Sequence, residues 1–182
     1  AEELELIMTT PLHNARLYIV RDLFLFSCYT GISYGDMCML TKEDLVTDEN
    51  GTLWIRTSRK KTKVEYEVPL LEVPLHILNK YRDVEPNGKL LPMYSNSDVN
   101  LSLKKIAAIC GINRRIVFHA ARHTYATEIT LSHGVPLETV IKMLGHTRVD
   151  TTQIYAKVTD EKIDADTKRL DSKISERFTI AI

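Results

Sequence analysis

Four glycines, Gly31, Gly111, Gly134 and Gly145, each stand at the end of a stretch whose apolar residues recur at helical spacing. Glycine closes a helix readily because it enters the left-handed conformation of the C-terminal cap without steric cost. Prolines mark other ends. Pro74 and Pro136 suit the first turn of a helix, where the missing N–H has no intrahelical partner. The chain thus reads as a series of helices. "LELIM" runs to Pro11, and "RLYIVRDLFLFSCYTG" is a buried helix ending at Gly31. "SYGDMCML" is short, "PLHILNKYRDV" starts at Pro74, and "SNSDVNLSLKKIAAICG" is amphipathic. "FHAARHTYATEITLSHG" closes on Gly134, and "PLETVIKMLG" spans Pro136 to Gly145.

One region breaks this period. After the turn signal "DENG", the segments "TLWIRTS" and "KVEYEVPL" carry β-branched and aromatic residues. In the second, Val64, Tyr66 and Val68 alternate with Glu65 and Glu67. This predicts a β-hairpin with Arg59 to Lys63 at its tip. "TKED" reads as a turn or capping segment. The expected fold is mainly α with a small antiparallel β-sheet (α+β). One core is expected over residues 1–159, followed by a charged helix and tail over 160–182.

A chain of 182 residues suffices for this, since a domain of that size buries roughly 70% of its unfolded surface. Nothing approaches the ~18 uninterrupted apolar residues of a membrane span. The start, "AEELELIMTT", is acidic and is no secretory signal. It lacks an initiator Met, which predicts a processed chain or a piece of a longer one. Cys28, Cys38 and Cys110 form no C-x-x-C and have apolar neighbours. They read as reduced core thiols of a cytoplasmic protein.

The formal net charge is zero, which argues against a wholly basic nucleic-acid binder. Its distribution is uneven. Residues 1–55 hold three Lys/Arg against nine Asp/Glu, whereas residues 56–63 hold five cations and no acid. Residues 104–148 hold seven cations and two acids. Two positive segments far apart in sequence can fold into one anion-binding face.

Single residues carry weaker signals. His119 and Arg122 are three apart, so a helix places them on one face, as a phosphate site or as an ordinary solvated pair. His119 and His123 are four apart, but the residue after His119 is Ala120, not the Glu of H-E-x-x-H. No thiol pair completes a zinc site, so no metal and no cofactor is expected. Tyr155 follows Gln153, and Asp150 with Gln153 resembles a capping pair at the start of a short helix. A core position is the default for any tyrosine, Tyr125 included. Residues 136–155 also imitate a helix-turn-helix, which leaves a DNA-reading module without catalysis open.

The combination is more specific than its parts. "HAARH", then "LGH", then "TTQIY", with "TG" at Thr30–Gly31 and a cationic hairpin upstream, resembles the catalytic signature of the tyrosine recombinases, or phage-type integrases. The phrasing "YTGISYGDMCML" is most similar to integrases of bacterial conjugative transposons. The resemblance implies that Tyr155 is the nucleophile, that His119 and Arg122 form the H-x-x-R pair, and that His146 is the histidine after "LG". It also implies a catalytic lysine eight residues before the Pro of a "VPL" strand end, which is Lys61. Lys60, Lys63, Arg114, Arg115 and Arg148 are then expected to contact DNA.

One residue departs from the pattern. The family's arginine two residues after "TG" is Ser33 here. Serine offers neither a permanent charge nor a bidentate fork. Arg59 is the candidate substitute, because on an extended strand it would share a face with Lys61. The resemblance further implies cleavage and rejoining of double-stranded DNA through a 3′-phosphotyrosine, without metal or cofactor. It implies a homotetramer on DNA, a C-terminal segment docking in trans, accessory DNA-bending factors, and an N-terminal core-binding domain absent from this chain. A bacterial, cytoplasmic, nucleoid-associated protein is expected. A catalytically impaired DNA-binding relative and a type IB topoisomerase-like strand transferase are the alternatives.

Overall fold

The computed structural model describes residues 2–82, 88–146, 164, 166–170 and 172. Its centre is a sixteen-residue helix. This helix, α2 (Ala15–Thr30), follows α1 (Glu2–Thr9) and is buried almost all round, with Val20, Leu23, Phe24, Leu25, Phe26 and Cys28 in the core. A helix apolar on every side has to be wrapped by others. Around it pack α4 (Glu72–Tyr81), α5 (Asn96–Ile109) and α6 (Ala120–Thr124). The Asn14 side chain caps its start by accepting from Leu17 N at 3.1 Å. Two charged residues in its buried part are paired. Asp22 Oδ2 accepts from Lys80 Nζ at 2.5 Å and from Tyr81 Oη at 2.7 Å, which fastens α4. Arg21 donates to Thr10 O at 2.9 Å.

The "TG" turn does more than end α2. Gly31 has φ +70° and its N–H returns to Ser27 O at 2.9 Å, the left-handed cap that the sequence predicts. A β-carbon on Gly31 would sit 2.4 Å from Tyr125 Cδ1 and 2.8 Å from a Leu144 methyl. The glycine is therefore required twice, for its backbone and for the ring that presses on it.

The short helix α3 (Tyr34–Met37) leads through a 3-10 turn, Lys42–Asp44, into the sheet. Three antiparallel strands lie in the order β1 (Leu45–Thr47), β2 (Leu53–Ser58) and β3 (Glu65–Pro69). Leu45 pairs with Ile55, Trp54 with Pro69, and Ser58 with Glu65. The hairpin is as expected: Tyr66 and Val68 face the core while Glu67 meets Arg56 outside. β1 was not legible. Three residues are too few to show alternation, and the strand is set by the turn after it. There Asp48 Oδ1 accepts from the backbone of Asn50 and Thr52, both at 2.9 Å, and Asp48 Oδ2 accepts from Trp54 Nε1.

The helix read across residues 118–133 is three pieces. After α6 the chain widens into a π-helical segment, Tyr125–Thr130, and then tightens into a 3-10 turn, Leu131–His133, before the left-handed Gly134. Thr130 Oγ1 donates to Tyr125 O and Ala126 O at 3.0 and 2.8 Å and so occupies carbonyls that the altered turn leaves exposed. Helix α7 (Leu137–Met143) starts one residue later than expected, with Pro136 as its extended N-cap. Residues 164, 166–170 and 172 are helical, as expected of the charged C-terminal stretch. The Arg169 guanidinium lies 3.3 Å from where a Gly134 β-carbon would be. The expected cap at Asp150 and the "RFTIAI" tail lie outside the described residues.

Replacing Gly31 by Ala adds both a core clash and a left-handed strain, each worth about 1–3 kcal/mol. Chemical denaturation of the Gly31→Ala variant is expected to show a loss of about 3 kcal/mol or more.

Candidate active site

Arg122 is the anchor. It lies on α6, is 3% exposed, and reaches across the end of α2. Its Nη1 donates to Gly31 O at 2.6 Å, and its Nη2 donates to Leu144 O. A buried guanidinium needs acceptors. Here they are main-chain carbonyls from two turns that the sequence ends with glycine. The left-handed backbone at Gly31 is part of the chain path that places its carbonyl on Arg122.

Arg59 meets Arg122 at the same carbonyl. It leaves the end of β2, and its Nη1 donates to Leu144 O at 3.1 Å. Its Nε lies 2.9 Å from Asp36 Oδ2. That N–H is buried and not directed at an acceptor, so the pair is held by charge rather than by a formed hydrogen bond. The hairpin packs tightly here. A β-carbon on Gly145 would lie 3.0 Å from Arg59 Cγ and 2.9 Å from the Tyr66 ring.

Asp36 organises this corner and was missed in the sequence. It is 3% exposed and sits in α3. Its Oδ2 accepts from Ser33 Oγ at 2.8 Å, its Oδ1 accepts from the backbone N–H of Lys60 at 2.8 Å, and the Tyr66 hydroxyl lies 3.5 Å away. Burial, with the Asp36 charge beside it, pushes the Tyr66 phenol well above its ordinary range. The available signal was the S-x-x-D spacing of Ser33 and Asp36, which marks a helix cap. Ser33 is indeed the N-cap of α3. It is occupied in capping and in holding Asp36.

His146 follows one residue after Gly145, with its N–H on Ile141 O at 3.1 Å. Burial lowers its pKa to about 4, with further lowering from the Arg122 and Arg59 charges. Three of the expected groups, Arg59, Arg122 and His146, are therefore in one electrostatic environment. The imidazole is neutral at pH 7 in the free protein.

The remaining candidates lie further out. His119 is exposed and lines a cavity of about 510 Å³ together with Ser33, Tyr34, Asn100, Arg115 and Arg122. Lys61 stands in the hairpin turn, which is closed by Arg59 N to Val64 O and by Lys63 N to Arg59 O, each at 2.8 Å. Its ammonium has no hydrogen-bond or ion-pair partner among the described residues. The expectation that Arg59 and Lys61 share a face of one extended strand is corrected. β2 ends at Ser58 and the chain turns, so Arg59 is drawn inward to Asp36 and Lys61 stays exposed. Lys60 and Lys63 are exposed on the same turn, Lys63 with φ 59°. Arg114 forks onto Glu3 of α1, with Nε 2.8 and 2.7 Å from its two oxygens. Arg115 is exposed. Tyr155 and Arg148 lie outside the described residues, and no cluster of metal-ligating side chains exists among the described ones.

The phage integrase family matches residues 1–162. The chain belongs to that family. Among curated relatives of this integrase-family chain, a tyrosine recombinase of Pseudothermotoga lettingae is 30% identical over 177 residues, covering 92% of this chain and 59% of the relative. Tyrosine recombinase XerD of Listeria monocytogenes is 34% identical over 145 residues, covering 71% of this chain and 47% of that protein. The chain thus spans about half the length of the curated relatives it matches. In fold it resembles the crystal structure of XerA recombinase, with a TM-score of 0.70 at 22% identity, over 98% of this chain and 64% of that one. It also resembles the Tn1549 transposon integrase in complex with circular intermediate DNA, with a TM-score of 0.66 at 16% identity, over 93% and 65% of the two chains. No helix among the described residues is long and apolar enough to cross a membrane.

The depressed His146 pKa has a sign. The folded state holds this group neutral, while the unfolded chain protonates it near its ordinary 6.5. Its contribution to stability is therefore present above pH 6.5 and is lost as pH falls towards 4. An NMR titration of His146 is expected to show a midpoint near 4, moving upward in Arg59→Gln.

Proposed function

We propose that this integrase-family chain is the catalytic domain of a site-specific DNA strand transferase. Tyr155 attacks a DNA phosphodiester; a bond forms from its phenolic oxygen to phosphorus, and the bond to the 5′-oxygen breaks. The phenol proton goes to His119, and Lys61 gives a proton to the departing 5′-hydroxyl. No external energy source is required, because the phosphodiester is conserved as a 3′-phosphotyrosine. A phenol, with pKa ~10, is a better leaving group than an alkoxide, so a 5′-hydroxyl from another strand can reverse the step.

The observation that carries this reading is the meeting of Arg59 and Arg122 at Leu144 O, one residue before the turn that delivers His146. Charge accumulates on the phosphoryl oxygens in the transition state, and preorganised cations are the main means of stabilising it. Arg122 supplies one guanidinium and Arg59 the second, in place of the arginine that Ser33 does not provide. His146 donates a further hydrogen bond from its neutral ring. Lys60, Lys63, Arg115 and Arg148 contact the DNA backbone. Arg114 joins them on exchanging Glu3 for phosphate.

The likeness to a transposon integrase favours a mobile-element enzyme that integrates and excises. Strand exchange then takes a homotetramer on two DNA sites and a Holliday junction, with residues 160–182 docking in trans and accessory bending factors. The protein works in the bacterial cytoplasm on nucleoid DNA.

A nicked suicide substrate traps the covalent step. With the full-length protein, an adduct at Tyr155 is expected; Tyr155→Phe is expected to form none while binding DNA as before. An adduct with the Phe variant would overturn the nucleophile. Arg59→Ala is expected to slow adduct formation ~10²-fold or more, as loss of a transition-state donor does. An unchanged rate would overturn the substitute role and leave Arg59 as a contact to nearby DNA backbone. A protein that binds DNA but traps no adduct would be the catalytically impaired relative.

A further inference from the structure

His119 stands at the mouth of the cavity, and its own side chain is exposed. What fixes it is the backbone beneath it. The turn that leads into α6 spans residues 117–121, with Ala120 N on Val117 O at 2.9 Å and Ala121 N on Phe118 O at 3.0 Å, and His119 is the N-cap. The N–H of Phe118 points out of this turn and has no helical acceptor, as is usual at a helix start. It donates instead to Asn100 Oδ1 at 2.9 Å. Asn100 lies on a different element, α5, and it lines the same cavity as His119 and Arg122.

The asparagine is itself immobilised. Its Nδ2 donates to Asn96 O at 2.8 Å and to Asn96 Oδ1 at 3.0 Å, one turn earlier in α5. These two donor bonds fix which end of the amide faces Phe118. The Phe118 ring is in turn held edge-on by Phe24, with centroids 6.1 Å apart, and by Tyr34 at 5.7 Å. The residue before His119 is thus locked on its side chain by two rings and on its backbone by one amide oxygen.

We propose that Asn100 is a positioning residue for His119, holding the start of α6 against α5 so that the imidazole meets the reacting tyrosine at the right place. The inference rests on the role given above to His119. Misplacing a catalytic group by about 1 Å can cost on the order of 10²-fold. Asn100→Ala removes the acceptor but none of the groups placed in the chemistry.

The test is single-turnover adduct formation on the suicide substrate at saturating DNA, with the full-length protein. Asn100→Ala is expected to be slower by on the order of 10- to 10²-fold, with the DNA Kd and the far-UV spectrum unchanged. Asn100→Asp keeps the acceptor for Phe118 but sets its second oxygen against Asn96 O, so it is expected to recover only part of that loss. Combining Asn100→Ala with His119→Ala is expected to be no slower than His119→Ala alone. A parental rate in Asn100→Ala, or a full extra loss in the double variant, would overturn the proposal while leaving the role of His119 standing. A parental rate in His119→Ala would remove that role, and the positioning claim with it.

Discussion

Two guanidiniums share one carbonyl oxygen, and the arrangement of the candidate site follows from that. Placing like charges side by side in a largely buried corner is unfavourable by Coulomb's law and by desolvation. Leu144 O accepts from both Arg59 and Arg122, and the buried carboxylate of Asp36 lies 2.9 Å from Arg59 Nε. Against these two positive charges stand one full negative charge, that of Asp36, and the carbonyl dipoles of Leu144 and Gly31. These described groups by themselves leave the corner with one positive charge in excess. The depressed pKa of His146 is due first to burial, and the charges of Arg122 and Arg59 lower it further. A site of this kind is electrostatically ready for an anion before any anion arrives.

The carbonyl needs a chain path that brings it there, and glycine provides that path at both ends. Gly31 turns the end of α2 under Arg122 and makes room for the Tyr125 ring. Gly145 allows the hairpin to pack directly on the turn before His146, with Tyr66 and Arg59 against its α-carbon. The "LGH" run is in this sense a packing statement first. Its Leu144 supplies a buried side chain and the shared acceptor, its glycine supplies the clearance, and its histidine follows into the site.

Much of this was legible in the sequence. Helix ends were readable because glycine and proline act locally, so Gly31, Gly111 and Gly134 fall where the caps do. The hairpin was readable because Val64 to Val68 alternate over five residues. The expectation for Arg122, His119, His146 and Lys61 came from motif order, not from any periodicity. What escaped the sequence depends on contacts across long separations. β1 is three residues long and is specified by its partner strand. The π-helical segment after α6 has the composition of any amphipathic helix. Asp36 was passed over because one acid in a short helix looks solvated, and only the fold shows it buried beneath the hairpin, 24 residues from its partner at Lys60.

The most instructive error concerned Arg59. A strand period placed it beside Lys61; the structure separates the two and brings Arg59 to the carbonyl that Arg122 also uses. The inward turn is caused by Asp36, which takes the Lys60 N–H and lies beside the Arg59 guanidinium, so that consecutive residues of the hairpin are pinned while Lys61 projects. Ser33 is integral to this arrangement. Its hydroxyl donates to the same carboxylate oxygen that faces Arg59. A longer cationic side chain at position 33 would start three residues from Asp36 in the chain and compete with Arg59 for that oxygen. Ser33, two residues after "TG", and the cation on the hairpin are thus physically complementary, two halves of one solution to charging this corner. With the cation carried by the hairpin turn and not by the start of α3, completing the positive corner depends on the hairpin resting against Gly145, and the same seating sets where Lys61 begins.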